Sequence, residues 1–261
     1  QYNDVKMKIK HKCVLVTGAS AGIGMATARA FAAEGCRLIL AARRIEKIEK
    51  LATGLKTEHG VDVLTLQLDV RDRKAVFAAI ESLPSEWRKI DILVNNAGLG
   101  RGLAPLHEGE IDGWEEMIDT NVKGLLYVTK AVVNGMINNG GGHIINLGSV
   151  AGREVYPNGN VYCATKFSVF ALSKALRLEL YDKNIRTTTI DPGMVETEFS
   201  IVRFNGDTER ANNVYKGFSP LKPEDIAETI VFCATRPPHV NITEMVIYPT
   251  EQANTTTVKR S

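Results

Sequence analysis

The sequence predicts an α/β fold: a doubly wound parallel sheet of about seven strands, with helices on both faces, in a single domain over residues 1–261. Three observations carry that expectation. Short apolar runs rich in β-branched residues alternate with longer helical patterns from Cys13 to Pro249. A glycine-rich turn joins the first run to the first helix. No Pro/Gly/Ser-rich linker breaks the alternation anywhere along the 261 residues.

The runs lie at 13–17, 38–42, 61–68, 90–94, 143–147, 187–190 and 245–248. Their length and near-continuous hydrophobicity suit strands buried on both faces, and right-handed crossovers then place helices on either side. Ligands in such sheets gather at the carboxyl ends of the strands. The first run ends in Thr17-Gly-Ala-Ser-Ala-Gly-Ile-Gly24, followed by an alanine-rich helical pattern over 23–34. Gly18, Gly22 and Gly24 lack a Cβ, so the chain can turn sharply and aim backbone N–H groups and a helix N-terminus at a pyrophosphate. A dinucleotide site formed by Gly18, Ser20, Gly22, Ile23 and Gly24 is predicted; a plain strand-to-helix connection is the alternative.

The second run identifies the nucleotide further. An acidic residue at its end would bind both ribose hydroxyls and repel a 2′-phosphate, but the sequence there is Leu40-Ala-Ala-Arg-Arg44. Arg43 and Arg44 offer permanently charged forks suited to phosphate, which favours NADP over NAD. The alternative makes both arginines the solvated start of the helix at 45–60. Downstream, Asn95, Ala97 and Gly98 follow the fourth run and are expected to line the cofactor, Gly98 by close backbone approach.

Composition narrows the remaining classes. Hydrophobic residues make up 44% and charged residues 24%, which fits a globular enzyme with a sizeable core. A net charge of +2 gives no general attraction to nucleic acid or to an anionic membrane. Cys13, Cys36, Cys163 and Cys233 are widely spaced without a C-x-x-C pair, as expected of reduced intracellular thiols. The histidines show no ligand spacing, so no catalytic metal is predicted. Residues 1–12 are polar and basic, unlike a signal peptide, and Met7 is a candidate natural start. No apolar run approaches spanning length, and the cytoplasm is the expected location. The helical pattern over 161–181 is apolar on nearly every side, which predicts burial on more than one face and a homo-oligomer; a helix deeply buried within one chain is the alternative.

Ser149 after the fifth run, Tyr162 and Lys166 four apart on that helix, Asn121, Asp191-Pro-Gly193 and Val195-Glu-Thr197 complete a pattern. With the glycine turn and Asn95-Asn-Ala-Gly98, it resembles the classical short-chain dehydrogenases/reductases over nearly the whole chain, and so implies a Rossmann-type fold and a tetramer. Tyr162 and Lys166 project from one helix face, so an ammonium can stabilise the phenolate and bring the phenol towards working pH. Tyr162 then exchanges a proton with the substrate oxygen while the cofactor carries hydride. The resemblance further implies that Ser149 orients the substrate and that Asn121 supports a water chain to Lys166; an ordinary helix-surface asparagine is the alternative for Asn121. It gives Lys166 a bond to the nicotinamide ribose, Asp69 with Val70 the adenine edge, and Pro192, Gly193, Val195 and Thr197 the nicotinamide side. For Asp69 a helix N-cap competes. Cys163, beside the tyrosine, is read as packing.

Residues 193–220 read as a substrate lid, and the polar stretch 250–261 as a tail either loose or docked on a neighbouring subunit. Glu196-Thr-Glu-Phe-Ser-Ile-Val-Arg-Phe-Asn-Gly206, Val214-Tyr-Lys216 and Gly148-Ser-Val-Ala-Gly-Arg153 resemble the NADP-dependent 3-hydroxy acid dehydrogenase subgroup, which includes serine dehydrogenase. A small acid needs a fixed cation, and Arg153 or Arg203 can supply it. Alternatively Arg153 ties down its loop and Arg203 pairs with Glu198 or Asp207. The implied activity is hydride transfer between NADP(H) and a small 3-hydroxy acid or its semialdehyde. A broad carbonyl reductase is the nearest alternative, and a cofactor-sensing regulator comes from a different class.

Overall fold

The computed structural model describes residues 9–261, so the candidate start at Met7 lies outside the described residues. The elements in order are β1 (Cys13–Thr17), α1 (Gly22–Ala33), β2 (Arg37–Ala42), α2 (Ile45–His59), β3 (Val63–Gln67), α3 (Arg73–Glu81), β4 (Ile92–Asn95), α4 (Ile111–Ile118), α5 (Leu125–Asn138) and β5 (Gly142–Leu147). There follow α6 (Asn160–Leu180), β6 (Ile185–Pro192), α7 (Phe199–Arg203), α8 (Thr208–Asn213), α9 (Pro223–Ala234) and β7 (Glu244–Ile247). All seven expected strands form one parallel sheet in the order β3-β2-β1-β4-β5-β6-β7. The strand order reverses between β1 and β4, which opens a crevice at their carboxyl ends.

Side-chain alternation along each strand builds two apolar layers. On β1, Val14 and Val16 join Phe31 of α1, Ile48 and Leu55 of α2 and Ile226 and Ile230 of α9. Leu15 faces the other way, with Val76 of α3, Val128, Val132 and Met136 of α5 and Leu180 of α6. Burying such a leucine or isoleucine contributes about 1.5–3 kcal/mol. Local signals set the helix ends. Asp72 caps α3 by accepting from the Ala75 N–H at 3.0 Å. Pro223 opens α9, while α2 stops at Gly60 in the left-handed region.

Helix α6 matches its expected span, and one of its faces is covered by Cys163, Val169, Ser173 and Leu180 turning inward. Its other face leaves Phe167 and Leu178 exposed, with Tyr181 just beyond. Between α4 and α5 the helix widens into a π-helical turn, Asp119–Gly124, which carries Asn121.

The tail docks on its own chain rather than hanging loose. Arg260 donates to the Val214 and Lys216 carbonyls, and the Ser261 N–H to Gly217 O at 2.8 Å. The Ser219 N–H donates to the Glu251 carboxylate at 2.7 Å. These contacts brace the segment that follows α8.

Candidate active site

The crevice between β1 and β4 deepens into a cleft of about 630 Å³, within the usual range for small-molecule sites. The glycine turn forms one wall through Gly18, Ser20, Gly22 and Ile23. Gly18 (φ 66) and Gly22 (φ 50) adopt left-handed backbone that a side chain would strain. A Cβ on Gly18 would lie 2.9 Å from Asn96 Nδ2, and one on Gly24 would strike the same amide and Gly18 O. Gly24 itself is buried beneath the turn and stays clear of the cleft lining.

Asn96, absent from the expected set, fastens this wall. Its side chain donates to Thr17 O at 2.9 Å and to Gly18 O at 3.3 Å, while the Asn96 and Ala97 N–H groups both reach Thr17 Oγ1 at 3.1 Å. The side chain of Asn95 requires a correction. It turns into the core, donating to Thr129 and Asn146 at 2.9 Å each, and does not line the cleft. Strand pleating is the reason: neighbouring residues face opposite ways, so only one of the two asparagines can face the turn.

Arg43 and Arg44 line the far end of the cleft. Arg44 donates through Nε and Nη2 to Ser20 Oγ at 3.2 and 3.0 Å, and through Nη1 to Glu198 at 2.9 Å. Lys47 reaches the other Glu198 oxygen at 3.2 Å. Arg44 faces the glycine turn, Arg43 lines the cleft with its guanidinium 4.0 Å from Glu116, and no acid stands at the strand end, Ala42, to repel phosphate. Asp69 and Val70 also line the cleft. The N-cap alternative for Asp69 falls, because Asp72 occupies that position. Burial alone would raise the Asp69 carboxyl, but bonds from Arg71, the shortest 2.6 Å, outweigh it and hold its pKa below the ordinary carboxylate range. Ala97, Gly98, Pro192, Gly193, Val195 and Thr197 complete the expected lining. Gln252 adds a contact that no motif signalled: its Oε1 accepts from the Met194 N–H at 2.8 Å and so pins the turn after β6.

Ser149 and Tyr162 both line the cleft, near enough for the serine hydroxyl to lower the tyrosine's pKa. Lys166 is buried from the same helix, its Nζ 5.9 Å from the Tyr162 ring centre and donating to Leu147 O at 2.9 Å. Asn121 is no surface residue. Its side chain closes a reciprocal pair with the Leu99 backbone at 2.9 and 2.8 Å and donates to Thr165 at 3.0 Å. Gly98 links the groups: a Cβ there would lie 3.2 Å from Asn121 Oδ1 and 3.6 Å from Lys166 Nζ.

The electrostatics depart from expectation. Burial pushes Tyr162 up to about 12, against smaller lowering effects of Arg203 and the Ser149 hydroxyl, so the phenol holds its proton. Burial likewise pushes Lys166 down to about 8, opposed by the negative charge of Asp191. The depressed tyrosine expected from the lysine is absent. Desolvation by burial outweighs the nearby charges; the Phe199 ring centre lies 5.5 Å from that of Tyr162.

The two substrate candidates part company. Arg153 stays out of the cleft lining, bonded to Asp191 at 2.9 and 2.6 Å and to Glu244 at 2.8 Å, with its guanidinium 4.6 Å above the Phe170 ring. It ties the loop after β5 to β6 and β7, a correction to its substrate reading. Arg203 lies in the cleft, 4.7 Å over the Tyr162 ring, and donates to Tyr156 OH at 3.1 Å. Neither Glu198 nor Asp207 pairs with it, and its buried Nε has no partner among the described residues. A half-buried guanidinium with no carboxylate partner and a buried, unbonded Nε is equipped to receive an anion.

Comparison with known proteins agrees with this geometry. Residues 12–207 match the short chain dehydrogenase family model. The NADP-dependent 3-hydroxy acid dehydrogenase YdfG of Salmonella typhi is 50% identical over 241 residues, covering 92% of this chain and 96% of the relative. The NADP-dependent 3-hydroxy acid dehydrogenase of Schizosaccharomyces pombe is 46% identical over 254 residues, or 97% and 98% of the two chains. Among solved structures, a closed form of serine dehydrogenase complexed with NADP+ superposes with a TM-score of 0.89 at 46% identity, covering 95% of this chain and all of that one. The matched span, residues 12–207, contains the glycine turn and the paired Tyr162 and Lys166, and the chain belongs to the short-chain dehydrogenase family.

Proposed function

We propose that the chain is an NADP-dependent oxidoreductase that interconverts a short 3-hydroxy acid, of the serine or 3-hydroxypropionate type, and its semialdehyde. The observation that carries the substrate class is Arg203, a half-buried guanidinium over Tyr162 with no carboxylate partner among the described residues. A hydroxyl held by Tyr162 and Ser149, with a carboxylate a few bonds away on Arg203, is the ligand this spacing suits. The nucleotide fits on separate grounds. The glycine wall is a cradle that a Cβ would fill, and Ser20, Arg43 and Arg44 stand where a 2′-phosphate needs donors and positive charge.

When bound, the nucleotide supplies the hydride acceptor or donor. Gly18, Ser20, Gly22 and Ile23 would hold its pyrophosphate, Asp69 and Val70 its adenine, and Pro192, Gly193, Val195 and Thr197 its nicotinamide side. Asn96 and Gly24 support this wall from behind, with Ala97 and Gly98 at its surface, while Asn95 braces β4 against β5 and α5. Tyr162 gives its proton to the carbonyl oxygen in reduction and removes it from the hydroxyl in oxidation. Lys166, one turn along α6 from Tyr162, would hold the nicotinamide ribose with its Nζ, while Asn121 holds the Leu99 backbone beside it. Ser149 orients the reacting oxygen.

Residues 193–220 serve as the substrate lid, braced by the tail at 250–261. Exposed Leu126, Phe167, Leu178 and Tyr181 around α5 and α6 support a homo-oligomer, a tetramer by family resemblance. The buried thiols support a reducing, cytoplasmic setting, and no helix among the described residues is long and apolar enough to cross a membrane.

The test is to follow NADPH formation with serine, 3-hydroxypropionate, 3-hydroxybutyrate and simple secondary alcohols, and its consumption with matching aldehydes and ketones. Activity that requires the carboxylate is expected. Equal activity on neutral substrates would indicate a general carbonyl reductase, and silence throughout a cofactor-sensing regulator. Light scattering at micromolar concentration checks the assembly; a monomeric mass would refute it.

A further inference from the structure

We propose that Arg101, oriented by Glu116, is a positioning residue that sets α7 over Tyr162 and thereby fixes Arg203 where a substrate carboxylate can reach it. The proposal rests on the reading of Arg203 as the anion anchor. Arg101 sits in the loop after β4 and does not itself line the cleft.

Helix α7 has five residues, too few to hold its own place, and its last carbonyls need partners from outside. One loop provides them. Arg101 Nη1 donates to Val202 O at 2.7 Å and to Asn205 Oδ1 at 3.2 Å, and the Gly102 N–H donates to Arg203 O at 2.9 Å. Gly100 is the floor beneath the guanidinium: a Cβ there would lie 2.8 Å from Arg203 Nε and 2.9 Å from both Arg203 Nη2 and Phe199 Cζ.

Arg101 is fixed in turn from α4. Its Nε donates to Glu116 Oε2 at 2.5 Å, and its backbone N–H points at Met117 Sδ at 3.3 Å. The other Glu116 oxygen faces Arg71 at 3.4 Å and Arg43 at 4.0 Å. Just before α7, Glu198 pairs with Arg44 and Lys47. The short helix is therefore tied on both sides to cations that flank the nucleotide end of the cleft. Because a displacement of about 1 Å at a reacting centre can cost about a hundredfold in rate, the stiffness of this tie bears directly on selectivity.

The test compares Arg101→Met and Arg101→Lys with wild type. The measurements are kcat and KM for 3-hydroxypropionate oxidation and for propanal reduction, the NADPH dissociation constant by fluorescence, and the melting temperature. Arg101→Met should raise the KM for the acid about tenfold, with kcat/KM for propanal and the NADPH affinity within about twofold. Arg101→Lys, which keeps one charged donor, should recover part of the loss. Gly100→Ala should shift the same preference from the other side of Arg203 and keeps the proposal testable if Arg101→Met fails to fold. An equal fall on acid and aldehyde would reduce Arg101 to a structural role. An unchanged acid KM in Arg101→Met, with a raised one in Arg203→Met, would overturn the proposal and leave the anchor standing. Should Arg203→Met itself leave the acid preference intact, the anchor reading fails and the proposal falls with it.

Discussion

Replacing Lys166 by Met should stabilise the protein while abolishing turnover. Lys166 is 7% exposed and its pKa falls from an ordinary 10.5 to about 8 because burial penalises the ammonium. That difference corresponds to about 3 kcal/mol against the native state wherever the group is charged. Methionine removes the penalty at similar length but leaves Leu147 O without its 2.9 Å donor, a loss of about 1–2 kcal/mol. The net gain is about 1–2 kcal/mol, or roughly 2–8 °C in melting temperature for a chain of this size. The pH dependence separates this account from generic repacking. Between about 8 and 10.5 the native wild type releases a proton that its unfolded chain retains, so wild-type stability rises relative to the variant with increasing pH. The advantage of the methionine is thus complete below about pH 8 and disappears by the top of that window. Urea unfolding at several pH values measures it. A variant that is less stable than wild type at pH 7, with a difference that stays flat from pH 8 upward, would refute the reasoning.

Arg44→Ala should weaken NADP binding about 5–30-fold and NAD binding within twofold, since one charged, half-exposed donor pair is lost; titrations with both cofactors decide. Equal losses would contradict a phosphate contact. Tyr162→Phe should remove turnover yet leave NADP affinity within about twofold, because only the hydroxyl goes. Arg153→Met should cost about 3–5 kcal/mol by leaving Asp191 buried without its partner, with little change in preference for acids over neutral substrates. A selective rise in acid KM would return Arg153 to the substrate site. His143 is fully buried and its pKa lies well below 6.5, burial first and Arg186 second. The unfolded chain takes up a proton that the native state refuses, so stability should fall by up to about 1.4 kcal/mol per pH unit below pH 6.5. His143→Gln should flatten that slope in urea unfolding.

Much of this architecture was legible because its signals are local. Glycines at fixed offsets, an arginine pair in place of an acid and two residues four apart on a helix each need only a few neighbours to be understood. The errors arose where partners lie far apart in sequence. Arg153 is claimed by Asp191 and Glu244, 38 and 91 residues downstream. The tail finds its seat on a segment 44 residues upstream. Asn95 and Asn96 are adjacent and chemically identical; only the pleat of β4, together with the register that sets Asn95 beside Asn146, tells them apart. The acidity of Tyr162 depends on how closely Phe199 and Arg203 fold over it, which no spacing records.

The wide turn at Asp119–Gly124 has a consequence for engineering. An extra residue in a continuous helix would ordinarily rotate everything beyond it by about 100°. Here the bulge absorbs the rotation, so Met117 before it and Val128 and Val132 after it all remain inward while the amide of Asn121 also points inside. Deleting one residue to make a smooth helix would preserve the apolar stripe and most of the fold, yet swing that amide away from Leu99. A design that idealises this helix would therefore gain regularity at the expense of the active-site wall.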